Sequence, residues 1–153
     1  MLDASGAADA VQMAHFGPGG RGYAGSPRAA GYATVAMPDH KANAADRTVV
    51  IVQIEDAEAI EHAGAIAATP GLDAVFIGPV DLSVSLGASG PTDPLVTDAV
   101  EQIAAAAVEA NRSVGIFANT REQREAYQAM GINLFLMQSD QTFLRRGAAA
   151  LLD

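Results

Sequence analysis

Residues 72–87 read LDAVFIGPVDLSVSLG. The apolar run Ala74-Val75-Phe76-Ile77 stops at Gly78-Pro79, a turn-marking pair, and a lone carboxylate, Asp81, follows at once. A short apolar run bounded by turn residues predicts a strand over 74–78, buried on both faces as in a parallel sheet. Beyond it, Leu82-Ser83-Val84-Ser85-Leu86 alternates apolar and polar side chains and predicts a short turn over 82–86. An acid placed directly after a buried strand calls for a reason.

Working outward, the same pattern recurs. Residues 48–54, TVVIVQI, are β-branched and read as a second buried strand. SVGIFA at 113–118 and NLFLM at 133–137 read as two more. Helical stretches separate them: 57–68, closed by Thr69-Pro70-Gly71; 94–111, with Val96, Val100, Ile103, Ala107 and Val108 on one side; 121–130, capped by Thr120 and ended by Gly131; and 141–152, capped by Ser139 or Asp140. Ahead of them lie a helix over 5–15, capped by Ser5, and a glycine- and proline-rich loop over 17–31. Strand–helix alternation with short connections implies an α/β chain with a parallel sheet. Two architectures fit: a small doubly wound sheet, or part of a (β/α)8 barrel, which normally takes about 250 residues. Both put a functional site at the carboxyl ends of the strands.

Composition narrows the chemistry. The 153 residues suffice for one domain with a real core, expected to span 1–153. A net charge of −9 argues against nucleic acid, whose phosphates demand clusters of Lys and Arg, and otherwise reads as ordinary solubility. Without cysteine there is no disulfide framework, thiolate nucleophile or zinc–thiolate site. No run approaches the roughly 20 apolar residues of a membrane span, and no secretory leader is visible, so a cytoplasmic location is expected by elimination.

At the strand ends stand Gln53 and Glu55, Asp81 with the Val80 and Asp81 amides, Asn119 and Thr120, and Ser139 and Asp140. Two carboxylates from neighbouring parallel strands, Glu55 and Asp81, can converge on a hard ion such as Mg²⁺ or Mn²⁺, which takes oxygen ligands and keeps several waters. The commoner use of such residues is capping: Asp81 for the turn 82–86, Asp56 for the helix at 57, and Glu55 as a first-turn acid. His15 at a helix end, His40 in a polar loop and His62 in mid-helix read as ordinary histidines. Ser83 and Ser85 lack a His–acid pattern and do not read as nucleophiles. GPGGRG at 17–22 misses the phosphate-loop spacing and reads as structural, with Arg21 free for an ion pair.

VVIVQIEDAEAI at 49–60, followed by LDAVFIGPVDLSVSLG, resembles the HpcH/HpaI aldolase family, the class II pyruvate aldolases of the citrate lyase beta-like barrel superfamily. The family pattern, roughly QxE at one strand end and GxxDLSxSLG at the next, is matched by Gln53-Ile54-Glu55 and by Gly78 through Gly87. GPGGRGYAGSPRAAGY and the ending GINLFLMQSDQTFL are similar to further family segments.

The resemblance implies the C-terminal half of a (β/α)8 TIM barrel, four parallel strands each followed by a helix, in a homo-oligomer. It implies cleavage of 4-hydroxy-2-oxo acids to pyruvate and an aldehyde. Glu55 and Asp81 would ligate a divalent ion (Mg²⁺, Mn²⁺ or Co²⁺), Gln53 would contact the 2-oxo acid, and the Val80 and Asp81 amides would bind the pyruvate carboxylate. The ion would stabilise a pyruvate enolate without a Schiff-base lysine, and the only lysine, Lys41, falls in a stretch read as loop. The family's histidine base, its aspartate and its arginine belong to the first half of the barrel, and none of His15, His40 or His62 matches them. A poorly active polypeptide is therefore expected, with a non-catalytic remnant or assembly subunit as the alternative. A citramalyl- or malyl-lyase chemistry is a third reading, but it wants a CoA-binding surface, and no basic patch is evident.

Overall fold

The four apolar runs become four strands in the computed structural model, which describes residues 1–152. They are β1 (Ile51–Ile54), β2 (Ala74–Ile77), β3 (Ser113–Ala118) and β4 (Leu134–Met137), joined in one parallel sheet of order β1-β2-β3-β4. The helices are α1 (Ala4–Ala14), α2 (Met37–Arg47), α3 (Ala63–Ala67), α4 (Pro79–Ser85), α5 (Pro94–Glu109), α6 (Arg121–Ala129) and α7 (Asp140–Ala149). None of them is long and apolar enough to cross a membrane.

The strand order decides between the two architectures. A doubly wound sheet reverses its order at a switch point. Here each strand lies beside the one before it, and uniformly right-handed crossovers then put every helix on the same face. Burial agrees. Val52, Ile54, Val75, Ile77, Val114 and Ile116 point towards the helices and are buried together with Ile66, Val100 and Ile103. The register Gln53↔Phe76↔Gly115↔Leu134 sets the alternate side chains on the opposite face. That face is exposed on the edge strands, where Ile51 is 45% exposed and Leu136 55%, and closed over at Ala74 and Gly115 in the middle. The expectation of burial on both sides holds for β2, where Ala74, Val75 and Ile77 are all buried, and is corrected for β1, whose burial alternates because only its outer face is packed. Gly115 is required on the inner face, where an added Cβ would lie 2.6 Å from the Phe76 ring and 3.1 Å from Leu134.

The strands are pinned in register by a device used twice. The Val50 amide donates to the Asp73 carboxylate at 2.7 Å, and the Val114 amide to the Asn133 side chain at 3.1 Å. In each case the polar residue just before one strand accepts an amide at the start of the neighbouring strand, Val50 immediately before β1 and Val114 second in β3. Arg112, between α5 and β3, donates to the Ala67 and Thr69 carbonyls at the end of α3, where a cation is favoured. Asp93 caps α5, and hydrogen bonds from the Ser89 amide and hydroxyl and the Leu95 amide hold its carboxyl below the usual range.

Several local expectations need correction. Asp3, not Ser5, caps α1 through the Gly6 amide. The stretch read as a loop around His40 and Lys41 is α2, so Lys41 lies on a helix. The helix expected over 57–68 is a 3₁₀ turn at Ala57–Ala59 followed by α3, and His62 stands at the start of α3 rather than inside a helix. Among the described residues Arg21 makes no ion pair. Its guanidinium lies 4.2 Å above the Phe16 ring and donates to the Ala14 carbonyl.

Candidate functional site at the carboxyl ends of the strands

The turn expected after β2 is a helix, α4, and its sequence explains itself once the period is read as 3.6 rather than 2. Gly78 is its N-cap and Pro79 its first residue, the position that suits a residue without an N–H. Leu82 is fully buried and anchors the helix. The Ser83 hydroxyl donates to the Val80 carbonyl at 2.6 Å and is itself buried, so it is no nucleophile. Gly87, with φ +67, ends the helix: its amide donates to Val84, and the Ala88 amide donates to Ser83.

Ser85 has a role that sequence reading missed. Its hydroxyl accepts the Ala57 amide at 2.9 Å, joining the loop after β1 to the end of α4. This is the cap that Asp56 was expected to supply; Asp56 occupies the N-cap position but makes no capping hydrogen bond. Asp81 likewise caps nothing and lies exposed in the first turn of α4. The two capping explanations for the acids therefore fail. Ser85→Ala should cost about 1 kcal/mol in urea-midpoint measurements, the typical net contribution of one hydrogen bond. A change within error would mean the Ala57 amide is equally well served by water.

Gln53 and Glu55 are tied to each other and pressed against the next strand. Gln53 Nε2 donates to Glu55 Oε2 at 2.6 Å. A Cβ on Gly78 would lie 2.6 Å from Gln53 Nε2 and 3.0 Å from Glu55 Oε2, so only glycine lets the two side chains lie there. Gly78 thus touches Glu55 and also begins the helix that carries Asp81. The Val80 and Asp81 amides belong to the first turn of α4, where backbone N–H groups have no intrahelical acceptor.

The remaining strand-end residues have structural tasks. Thr120 accepts the Gln123 amide and caps α6, and Ser139 accepts the Thr142 amide and caps α7. The Asn119 amide donates to Gln123 Oε1 at 2.8 Å, and Asp140 accepts the amide of Gln141. Gln138, unremarked in the sequence, has φ +60; its side chain donates to the Asn119 carbonyl while its Oε1 is buried without a partner. Among the described residues no group of three or more His, Asp or Glu side chains could hold a metal.

Comparison with known proteins agrees with this architecture. Residues 3–145 match the family model described as HpcH/HpaI aldolase/citrate lyase. The chain is 35% identical over 146 residues to a 4-hydroxy-2-oxo-heptane-1,7-dioate aldolase of Shigella sonnei, covering 95% of this chain and 56% of that protein. It is 36% identical over 114 residues to a hydroxypyruvate/pyruvate aldolase of Chromohalobacter salexigens, covering 74% of this chain and 45% of that one. It therefore spans about half the length of these curated relatives. The crystal structure of an HpcH/HpaI aldolase/citrate lyase family protein from Burkholderia cenocepacia superposes with a TM-score of 0.91 at 35% identity, over 99% of this chain and 61% of that one. On sequence and fold together, the chain belongs to the HpcH/HpaI aldolase/citrate lyase family.

Proposed function

We propose that this chain carries the metal- and pyruvate-binding part of an aldolase that cleaves 4-hydroxy-2-oxo acids. The observation that carries the reading is the Gln53–Glu55 pair held against Gly78, beside the helix turn that bears Asp81. The donor set fits a hard divalent ion: two carboxylates, no sulfur, and an open rim where water and substrate oxygens complete the shell. Glu55 and Asp81 would hold that ion, with Mg²⁺, Mn²⁺ and Co²⁺ all compatible with oxygen ligands. When bound it would supply positive charge for the oxygen that becomes anionic as the carbon–carbon bond breaks. Gln53 fixes the orientation of Glu55 and presents its amide to the rim. The unpaired Val80 and Asp81 amides suit the carboxylate of a small 2-oxo acid, since first-turn amides attract anions.

Titrating the protein with Mn²⁺ under electron paramagnetic resonance tests this reading. Glu55→Gln and Asp81→Asn should each weaken binding by roughly tenfold or more, since each removes a charged ligand. Mn²⁺ affinity that neither substitution alters would remove the metal role from both residues.

The inner face, exposed along its edge strands, supports a second reading, an assembly subunit without chemistry of its own. β1 and β4 each pair on one side only, and Ile51, Leu134 and Leu136 are exposed between them. Such edges and faces drive association. Light scattering of the purified 153-residue chain should show a mass above that of the monomer, rising with concentration. A constant monomer mass would mean that this face tolerates water.

A further inference from the structure

Away from the strand ends, the long excursion between α1 and β1 builds a pocket of its own. Phe16, Tyr23 and His40 form an aromatic cluster with ring centroids 5.7–5.8 Å apart. His40 is 9% exposed, yet neither ring nitrogen has a hydrogen-bond partner among the described residues. Phe16 and Tyr23 pack against its ring at 57° and 67°, and the ring also lines a pocket. That pocket, about 300 Å³, is lined by Arg21, His40, Asn43, Arg47 and Thr48, with Ala29 and Ala44 between them. His40, Asn43, Ala44 and Arg47 follow i, i+3, i+4, i+7 and so share one face of α2.

The lining contains no carboxylate. Neither Arg21 nor Arg47 has an acidic partner within ion-pair distance among the described residues. Residues 15–48 hold four of the chain's Lys and Arg residues against two Asp, in a protein of net charge −9. Arg21 is held in place by the Phe16 ring and the Ala14 carbonyl, leaving part of its guanidinium fork free. Guanidinium groups, an imidazole and a side-chain amide around one opening make a donor-rich, acceptor-poor site.

We propose that this pocket binds a small oxyanion, a phosphate or a carboxylate, at a site separate from Glu55 and Asp81. The donors come from positions 21, 40, 43 and 47, too dispersed to read as a basic patch in the sequence.

Equilibrium dialysis of the 153-residue protein against radiolabelled inorganic phosphate, and in parallel against radiolabelled succinate, tests this at constant ionic strength. Self-association does not disturb such a measurement. Saturable uptake of at least one anion is expected, and the stronger of the two assigns the ligand class. Arg47→Gln removes one charged donor, and Asn43→Asp sets a carboxylate in the opening; both positions are exposed, and circular dichroism confirms that the variants fold. Each should weaken uptake roughly tenfold or more. No saturable uptake of either anion, or uptake that both variants retain, would overturn the proposal.

Discussion

Pyruvate release from a 4-hydroxy-2-oxo acid by the 153-residue chain in Mn²⁺ should run about 10²–10⁴-fold below that of a longer relative assayed beside it, the usual contribution of a positioned general base. In the proposed site the strand ends supply carboxylates, an amide side chain and backbone amides, groups assigned there to binding and orientation. None of the three histidines hydrogen-bonds to Glu55 or Asp81 among the described residues, and none joins them in a metal-holding group. His40 packs against Phe16 and Tyr23, His15 follows the last turn of α1, and His62 begins α3. Binding without proton transfer predicts a specific split: Mn²⁺ affinity comparable to the relative's, with turnover lost. Turnover equal to the relative's would show that a group of this chain moves the proton, and the proposed division of labour would fall.

Leu82→Ala should lower unfolding stability by about 2–5 kcal/mol, the range for truncating a fully buried leucine. Leu82 is fully buried and belongs to the same core as Ile77, Val96 and Val100, one residue after Asp81. The loss is large against the roughly 5–15 kcal/mol that holds most domains together, so urea midpoints measure it easily. Val84→Ala in the same helix is the comparison: Val84 is 77% exposed, and its truncation should change stability by less than about 0.5 kcal/mol. Equal effects at the two positions would mean that α4 is not packed as described.

The sheet was legible because buried strands announce themselves. The predicted 113–118 is β3 to the residue, and the other three strands fall within their predicted ranges. Monotonic strand order was not legible from spacing, since helix-separated strands suit both architectures until their neighbours are known. The resemblance supplied what periodicity could not. α2 was missed because MPDHKANAADR has no apolar stripe; only His40 is buried, and the helix rests on Pro38 and Asp39 in its first turn, alanines within, and Arg47 at its end. α4 was misread because its serines fall at alternate positions. Ser83 and Ser85 turn out to serve different neighbours, one its own helix and the other a loop 28 residues away in sequence. The positions of Glu55 and Asp81 after neighbouring strands are readable from the sequence, but the role of Gly78 in seating Glu55 depends on a contact between strands.

A helix of seven residues is far below the length at which helices persist in water, where nucleation costs more than so few turns return. α4 therefore owes its existence to Leu82 and to the glycines at its two ends. The first-turn amides of Val80 and Asp81, proposed above to meet a substrate carboxylate, have no independent fraying equilibrium to draw on. Hydrogen exchange at Leu82 and Leu86, whose amides close the turns of α4, should follow the slow global opening of the sheet. The site is then as rigid as the core beneath it, and its geometry is lost when the core is lost.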